Sequence, residues 1–320
     1  MELLKYKNQL NKLIRESSNV FIMGHKYLDL DALGASIAMY EYVKSKNKKV
    51  TLIVNDRKFE KGVKRALDII KNSYIIERSS KIKKDINKKS LLIIVDTNKP
   101  YLLQDQAMYE NMSNIAVIDH HDTNELSINR GLVIEDYDAS STCEMITDLL
   151  DHEKVRVNDQ VATIILSGIV LDTNNFVVKT NVDTFRVSYI LTSWGAKPAN
   201  VQALLKQDIK NYVERSKVIT NVKQIQNCAI SCGKSSIKYR REDLAKIADT
   251  LLQFDKIDAS FVIGKLDKHN VGISARSLGN INVGKILEKF NGGGDENEAG
   301  AFIENTSIKE VEKELKELIK

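Results

Sequence analysis

Apolar residues recur along this chain in two rhythms, a helical one and a short continuous one, and the two alternate. Residues 2–17 set Leu3, Tyr6, Leu10, Leu13 and Ile14 on one stripe at helical spacing. The run NVFIMG that follows is short and apolar, which predicts a buried strand. Residues 32–46 return to helical period through Leu33, Ile37, Tyr40 and Val43. KKVTLIVND, LLIIV and NIAVI then predict further strands, separated by polar and helical stretches. Strands alternating with helices argue an α/β fold built on a parallel sheet with helices on both faces. From about residue 140 to 192 the period is mostly helical, and SWGAKPAN breaks it. A charged helical stretch over 199–222 reads as a connector. A second α/β pattern follows, with strands at CAISC, ASFVIGK and NVGISAR and helices over 241–253 and 282–290. The last helix is expected to start at Ser307, with Glu310 completing a capping box and a stripe of Ile308, Val311, Leu315, Leu318 and Ile319.

Composition narrows the class. The chain has 320 residues, 42% apolar and 28% charged, which is enough for two ordinary domains. Its net charge of +5 is compatible with a phosphate-bearing partner but does not require one. The Lys-rich segment KIKKDINKKS reads first as a solvated connection, with contact to a nucleotide or a membrane surface as the alternative. Three cysteines, Cys143, Cys228 and Cys232, form no Cys-x-x-Cys pair; a disulfide framework is not expected, and a reducing cytosol is. The longest apolar stretch, VATIILSGIVL, is too short to span a membrane, and the amino terminus lacks signal-peptide character. A soluble protein is expected.

The candidate chemistry lies where apolar runs give way to polar residues. His25, Asp29 and Asp31 occur in GHKYLDLDALG, Asp96 closes LLIIVD, Asp119, His120 and His121 form DHH after NIAVI, and Asp172 ends SGIVLD. Open α/β sheets carry their sites at the carboxyl ends of strands, and three of these four segments follow a strand-like run. Each residue alone reads as well as a cap, a turn residue or a core histidine. Together, so many carboxylates at one sheet edge would repel one another unless cations were present. Oxygen and imidazole donors without thiolate favour manganese, magnesium or iron over structural zinc.

These motifs, in this order, resemble the DHH phosphoesterase superfamily: GHKYLDLDALG, VDT, IDHH and LDT. ASFVIGK, VGISARSLGNINVGKIL and NGGGDENEAG resemble the DHH-associated domain, so the likeness covers nearly the whole chain. EDYDASSTCEMITDLL and ISARSLGNINV resemble in particular the catalytic part of GdpP-type cyclic-di-AMP phosphodiesterases. The resemblance implies a DHH metal-binding domain over 1–195, a helical linker over 196–223 and a smaller mixed α/β DHH-associated, substrate-binding domain over 224–320. It implies two manganese ions, with magnesium or another divalent metal as the alternative. His25, Asp29 and Asp96 would hold one ion. Asp31, Asp96, His120 and Asp172 would hold the other, with Asp96 bridging. Asp119 would orient ligands and His121 would face the scissile phosphate. Arg276, Ser274 and the glycines Gly292, Gly293 and Gly294 would contact the nucleotide, and the two domains would close on it about the 199–222 stretch.

The implied reaction is hydrolysis of cyclic di-AMP to linear pApA. The rivals are a nanoRNase or pApA hydrolase and a catalytically silent nucleotide sensor. No basic stripe with interleaved aromatics suggests a long nucleic acid as partner. A homodimer is implied by the family, and a place on the cytoplasmic face of a membrane if the chain is part of a longer GdpP-type protein. Two departures from the family pattern stand out: Asp295 where GGGH is usual, and Leu28 where proline is usual.

Overall fold

The computed structural model describes residues 2–206 and 208–319, and the chain divides into two compact units at residues 206–207. The first unit contains six strands: β1 Val20–Met23, β2 Val50–Ile53, β3 Ile76–Glu77, β4 Leu91–Val95, β5 Asn114–Asp119 and β6 Leu132–Glu135. All pair in parallel, in the order β3-β2-β1-β4-β5-β6. The order reverses between β1 and β4, which opens a crevice at their carboxyl ends.

The strands are continuously apolar because both of their faces are covered. Val20, Ile22, Leu91, Ile93, Val95, Ala116 and Ile118 point into one core, and Phe21, Met23, Leu92, Ile94, Ile115 and Val117 into the other. The unit's helices are α1 Glu2–Glu16, α2 Leu30–Ser45, α3 Lys61–Ile70, α4 Ser79–Ile82, α5 Gln106–Asn111, α6 Thr142–His152, α7 Asp159–Asp172, α8 Val182–Ser193 and α9 Pro198–Leu205. Helix α2 packs against both the sheet and α7, so it is buried almost all round. Gly168 on α7 makes that closeness possible: a Cβ there would lie 2.9 Å from the Asp31 Cα and 2.7 Å from the Cys143 Sγ.

The second unit holds α10 Ile209–Ile219, α11 Arg241–Leu251, α12 Val283–Glu288 and α13 Ile308–Leu318. Its strands are β7 Lys223–Ile225, β8 Cys228–Cys232, β9 Ala259–Lys265, β10 Val271–Ser277, β11 Gly293–Gly294 and β12 Glu298–Ile303. They form a mixed sheet, β11-β12-β10-β9-β8-β7, parallel only between β8 and β9. The α/β class with a parallel-sheet domain and a smaller mixed domain is thus the observed architecture.

The 196–223 stretch divides between the units. Helix α9 packs on α7 and α3, and α10 on α11 and β8. Ser307 and Glu310 form both halves of the expected capping box. Leu318 and Tyr6 lie on their apolar stripes yet remain exposed. Among the described residues no helix is long and apolar enough to cross a membrane.

Candidate metal centre

The first unit gathers its acidic and imidazole side chains at the carboxyl ends of β1, β4 and β5, flanking the strand-order reversal. Asp96 follows β4 directly and adopts φ of +60°, a left-handed conformation that Asp tolerates better than most residues. Its carboxylate is shared between two groups of candidate donors. Oδ2 lies 3.5 Å from the His25 Nε2, which is itself 3.4 Å from the Asp29 Oδ2. Oδ1 lies 3.5 Å from the His120 Nε2, which is 3.2 Å from the Asp172 Oδ2. Donor atoms of His25, Asp29 and Asp96 fall within 4.8 Å of one another, as do those of Asp31, Asp96, His120 and Asp172, and those of Asp96, His120 and His121.

Local structure fixes each donor. Asp29 is the N-cap of α2: its Oδ1 accepts from the Ala32 N–H at 2.9 Å, leaving Oδ2 for the site. The His25 Nδ1 lies 2.8 Å from the Lys26 carbonyl oxygen, a contact that calls for N–H there and leaves Nε2 as the bare donor. Asp31 is fully buried, and its two oxygens accept from the Thr142 and Cys143 N–H groups at the start of α6, at 2.9 and 3.0 Å. A helix start favours an anion through its free N–H groups and its dipole. The Thr142 hydroxyl donates to the Asp96 Oδ1 at 3.0 Å. Asp172 is the last residue of helix α7, so this candidate donor comes from a helix end, not a strand tip. The buried Asp119 Oδ1 accepts from the His120 N–H and pairs with the His121 Nδ1 at 2.8 Å. The His121 side chain is 52% exposed.

The electrostatics fit a cation. Burial, then Asp96 and Asp172, pushes the Asp31 carboxyl well above the usual range. Burial pushes Asp172 up to about 6 despite His120. Burial also works against the charged forms of His25 and Asp96. The carboxylates around His25 outweigh it and push its pKa up to about 12, and the imidazoles around Asp96 outweigh it and hold Asp96 well below the usual range. Beside the effect of burial, negative charge crowded into the site raises the pKa of His25, His120 and Asp31 alike and so favours protons on them. A divalent cation replaces such protons where ligands are deprotonated on binding. Both ring nitrogens of the buried His120 lack a hydrogen-bond partner, although carboxylates crowd Nε2. Unpaired buried donors of this kind are costly unless something coordinates them.

Residues 19–169 match the DHH family, N-terminal domain, and residues 216–320 match the DHHA1 domain. The chain belongs to the DHH family. It is 38% identical to the cyclic-di-AMP phosphodiesterase GdpP of Geobacillus thermodenitrificans over 97% of this chain and 48% of that protein. It is 36% identical to the cyclic-di-AMP phosphodiesterase PdeA of Listeria monocytogenes over 96% of this chain and 48% of that protein. The chain thus spans about half the length of these curated relatives. The fold is shared with an exopolyphosphatase-related protein from Bacteroides fragilis (TM-score 0.78, 20% identity, 98% of this chain and 96% of that one).

In the DHHA1 unit, Ser274, Arg276, Gly292 and Gly293 line a cavity of about 540 Å³, and Gly294 does not. Alternation along β10 turns Gly272, Ser274 and Arg276 toward α11, away from the core that holds Val271, Ile273 and Ala275. The Arg276 guanidinium is already engaged: Nε donates to the Asp249 Oδ1 at 2.8 Å and Nη2 lies 3.4 Å from the Glu298 Oε2. Gly292 sits where a Cβ would lie 2.6 Å from the Gly300 oxygen, and its N–H donates to the Leu287 carbonyl. The glycine run is therefore a tight exit from α12, with one amide already spent on that helix.

Both departures from the family pattern have local reasons. The Asp295 Oδ1 accepts from the Asn297 and Glu298 N–H groups at 2.8 and 2.7 Å, closing the turn between β11 and β12. Its charge is turned into that hairpin. Leu28 is buried and its N–H donates to the Asp56 Oδ2 at 2.9 Å, a bond that proline could not make.

Several residues of these sites carried no sequence signal. Thr142 and Cys143 hold Asp31 across more than a hundred residues. Asn98 is fully buried, and its Nδ2 donates to the His121 carbonyl oxygen at 3.0 Å, pinning the loop after β5. Arg241 lines the DHHA1 cavity with its guanidinium 5.2 Å from the centre of the Phe302 ring. The sequence cue available was Arg241 beside a predicted helix start, which is too common to single out.

Proposed function

We propose that this chain is a divalent-metal-dependent phosphodiesterase that opens cyclic di-AMP to linear pApA. The observation that carries the reading is Asp96, which presents one oxygen to each of two donor groups. In this reading His25, Asp29 and Asp96 hold one ion and Asp31, Asp96, His120 and Asp172 the other. The donor chemistry favours manganese, with magnesium next. Two such ions supply an activated water and neutralise charge on a phosphoryl group.

The chain's own residues do the rest. Burial lowers the His121 pKa, but Asp119 outweighs it and raises the value overall, so the imidazole favours its protonated form. With Nδ1 on Asp119, the ring can donate from Nε2 to the phosphate or to the departing 3′-oxygen. Asp119 fixes the ring, and Asn98 fixes the loop that carries it. The DHHA1 cavity would take a phosphate-bearing nucleotide end at Ser274, Gly293 and Arg276, the arginine exchanging Glu298 for ligand oxygen. Asp295, with its Oδ1 held in the hairpin, is not among the residues that line that cavity.

The names and 36–38% identity of the GdpP and PdeA relatives favour the cyclic substrate. A second reading, hydrolysis of short linear oligonucleotides, is favoured by one relative. The bifunctional oligoribonuclease and PAP phosphatase NrnA of Thermus thermophilus is 24% identical over 94% of this chain and 89% of that protein. The test is hydrolysis of cyclic di-AMP and pApA side by side, with and without manganese, products resolved by chromatography. Manganese-dependent accumulation of pApA supports the first reading. Conversion of pApA to AMP with the cyclic substrate untouched replaces it with the second. No turnover of either, with nucleotide bound, leaves only a sensor.

A further inference from the structure

Parallel strands all begin at one edge, and in the first unit that edge lies opposite the metal-ligand edge. Three of the connections that enter it lead to the neighbouring strands β2, β1 and β4: residues 15–19 before β1, 44–49 before β2 and 83–89 before β4. They are stitched together. Ser18 N–H donates to the Lys89 carbonyl at 3.0 Å, Val20 N–H to the Lys49 carbonyl at 2.8 Å, and the Asn19 side chain to the Asp85 carbonyl at 2.9 Å. The Lys48 ammonium donates to the Arg15 and Ser17 carbonyls at 2.6 and 2.8 Å. The three segments therefore form one continuous surface.

That surface carries nine cations against two acids, Glu16 and Asp85. Lys46 is paired with Glu153 and Lys48 is spent on carbonyls. The other seven (Arg15, Lys44, Lys49, Lys83, Lys84, Lys88, Lys89) are exposed, and none makes an ion pair among the described residues. An ordinary solvated face mixes signs, which limits self-repulsion. Here the signs are segregated along the chain. Residues 1–100 hold 22 Lys and Arg against 11 Asp and Glu, whereas residues 101–206 hold 7 against 15.

We propose that this edge docks on an anionic phospholipid membrane. Clusters of four to eight basic side chains suit phosphate-bearing lipid surfaces, each charge adding to the attraction within a Debye length. Six of the seven free cations are lysines, point charges without the planar fork that reads phosphate or base geometry. None of the three segments contains an aromatic residue, so the surface lacks the stacking platform that single-stranded nucleic acid uses. Docked this way, the unit keeps His25, Asp96 and His120 on the side facing water. The proposal does not depend on the substrate assigned above.

Sedimentation of the full chain with vesicles tests it, comparing phosphatidylcholine alone with phosphatidylcholine doped with phosphatidylglycerol. Binding is expected only to the doped vesicles, and it should fade as salt rises. K83E/K84E/K88E/K89E should lower partitioning by at least about ten-fold with an unchanged melting profile. If charge reversal unfolds the protein, K44Q/K49Q/K88Q/K89Q serves instead. Equal binding to both vesicle types, or wild-type partitioning of a folded variant, overturns the proposal. Tighter retention on duplex RNA or DNA than on doped vesicles at the same salt overturns it in favour of a nucleic-acid surface.

Discussion

The two units handle buried charge in opposite ways. In the first, Asp31, Asp96 and Asp172 converge with no arginine or lysine in their group, and the His120 ring lies between them with neither nitrogen hydrogen-bonded. In the second, Arg276 meets both Asp249 and Glu298, so the cation is already countered before any ligand arrives. The first site is incomplete without an outside cation. The second is self-contained and must exchange a partner to bind an anion. Sensitivity to substitution should follow: losing a donor from the first removes chemistry, and losing a group from the second trades stability against affinity.

The largest effect is expected at Asp96. Asp96→Ala should lower turnover by about a thousand-fold or more and weaken cation binding measured by calorimetry, since both donor groups share this residue. Full activity in that variant would break the bridging assignment. His121→Ala should cost about a hundred-fold in kcat while cation binding stays near wild type, because the ring is held by Asp119 rather than by the ligand groups. A parallel loss of cation binding would instead make His121 a ligand, as its place beside Asp96 and His120 allows.

Arg276→Ala should raise KM about ten-fold and also lower stability by about 1–2 kcal/mol, because Asp249 is left without its cation. Asp249 is already strained toward neutrality, its pKa raised by burial against the pull of Arg276. A change in KM with no change in melting would show that the ion pair is dispensable and sharpen Arg276 into a pure ligand contact. The smallest effect is expected for Asp295→His, which installs the residue usual in the family. It should cost about 1 kcal/mol through the lost turn bonds, with KM moving less than about three-fold. A large gain in affinity would mean that the native aspartate tunes the cavity down.

Legibility in the sequence followed the range of the interaction. Strands β1, β4 and β5 could be read because burial on both faces leaves them continuously apolar. β3, β6 and β12 could not, being short, half-buried or interrupted by glycine. The candidate ligand residues stood out because each lies where an apolar run gives way to polar residues. The groups that hold them did not: the N–H of Thr142 and Cys143 belongs to every residue type, and only the packing of α6 against α2 aims it at Asp31. The same holds for the trio of Arg276, Asp249 and Glu298. Arg276 and Glu298 face each other across β10 and β12, and Asp249 joins them from α11, pairings that no local period encodes.

Asp29 and Asp31 each serve the start of a helix as well as the site. The Ala32, Thr142 and Cys143 amides hang on carboxylates that a bound cation would pull upon or fix in place. Hydrogen exchange at those three positions therefore registers occupancy of the centre without any substrate, protection there reporting how firmly the carboxylates are held. The first turns of α2 and α6 act as a gauge of whether the centre is filled.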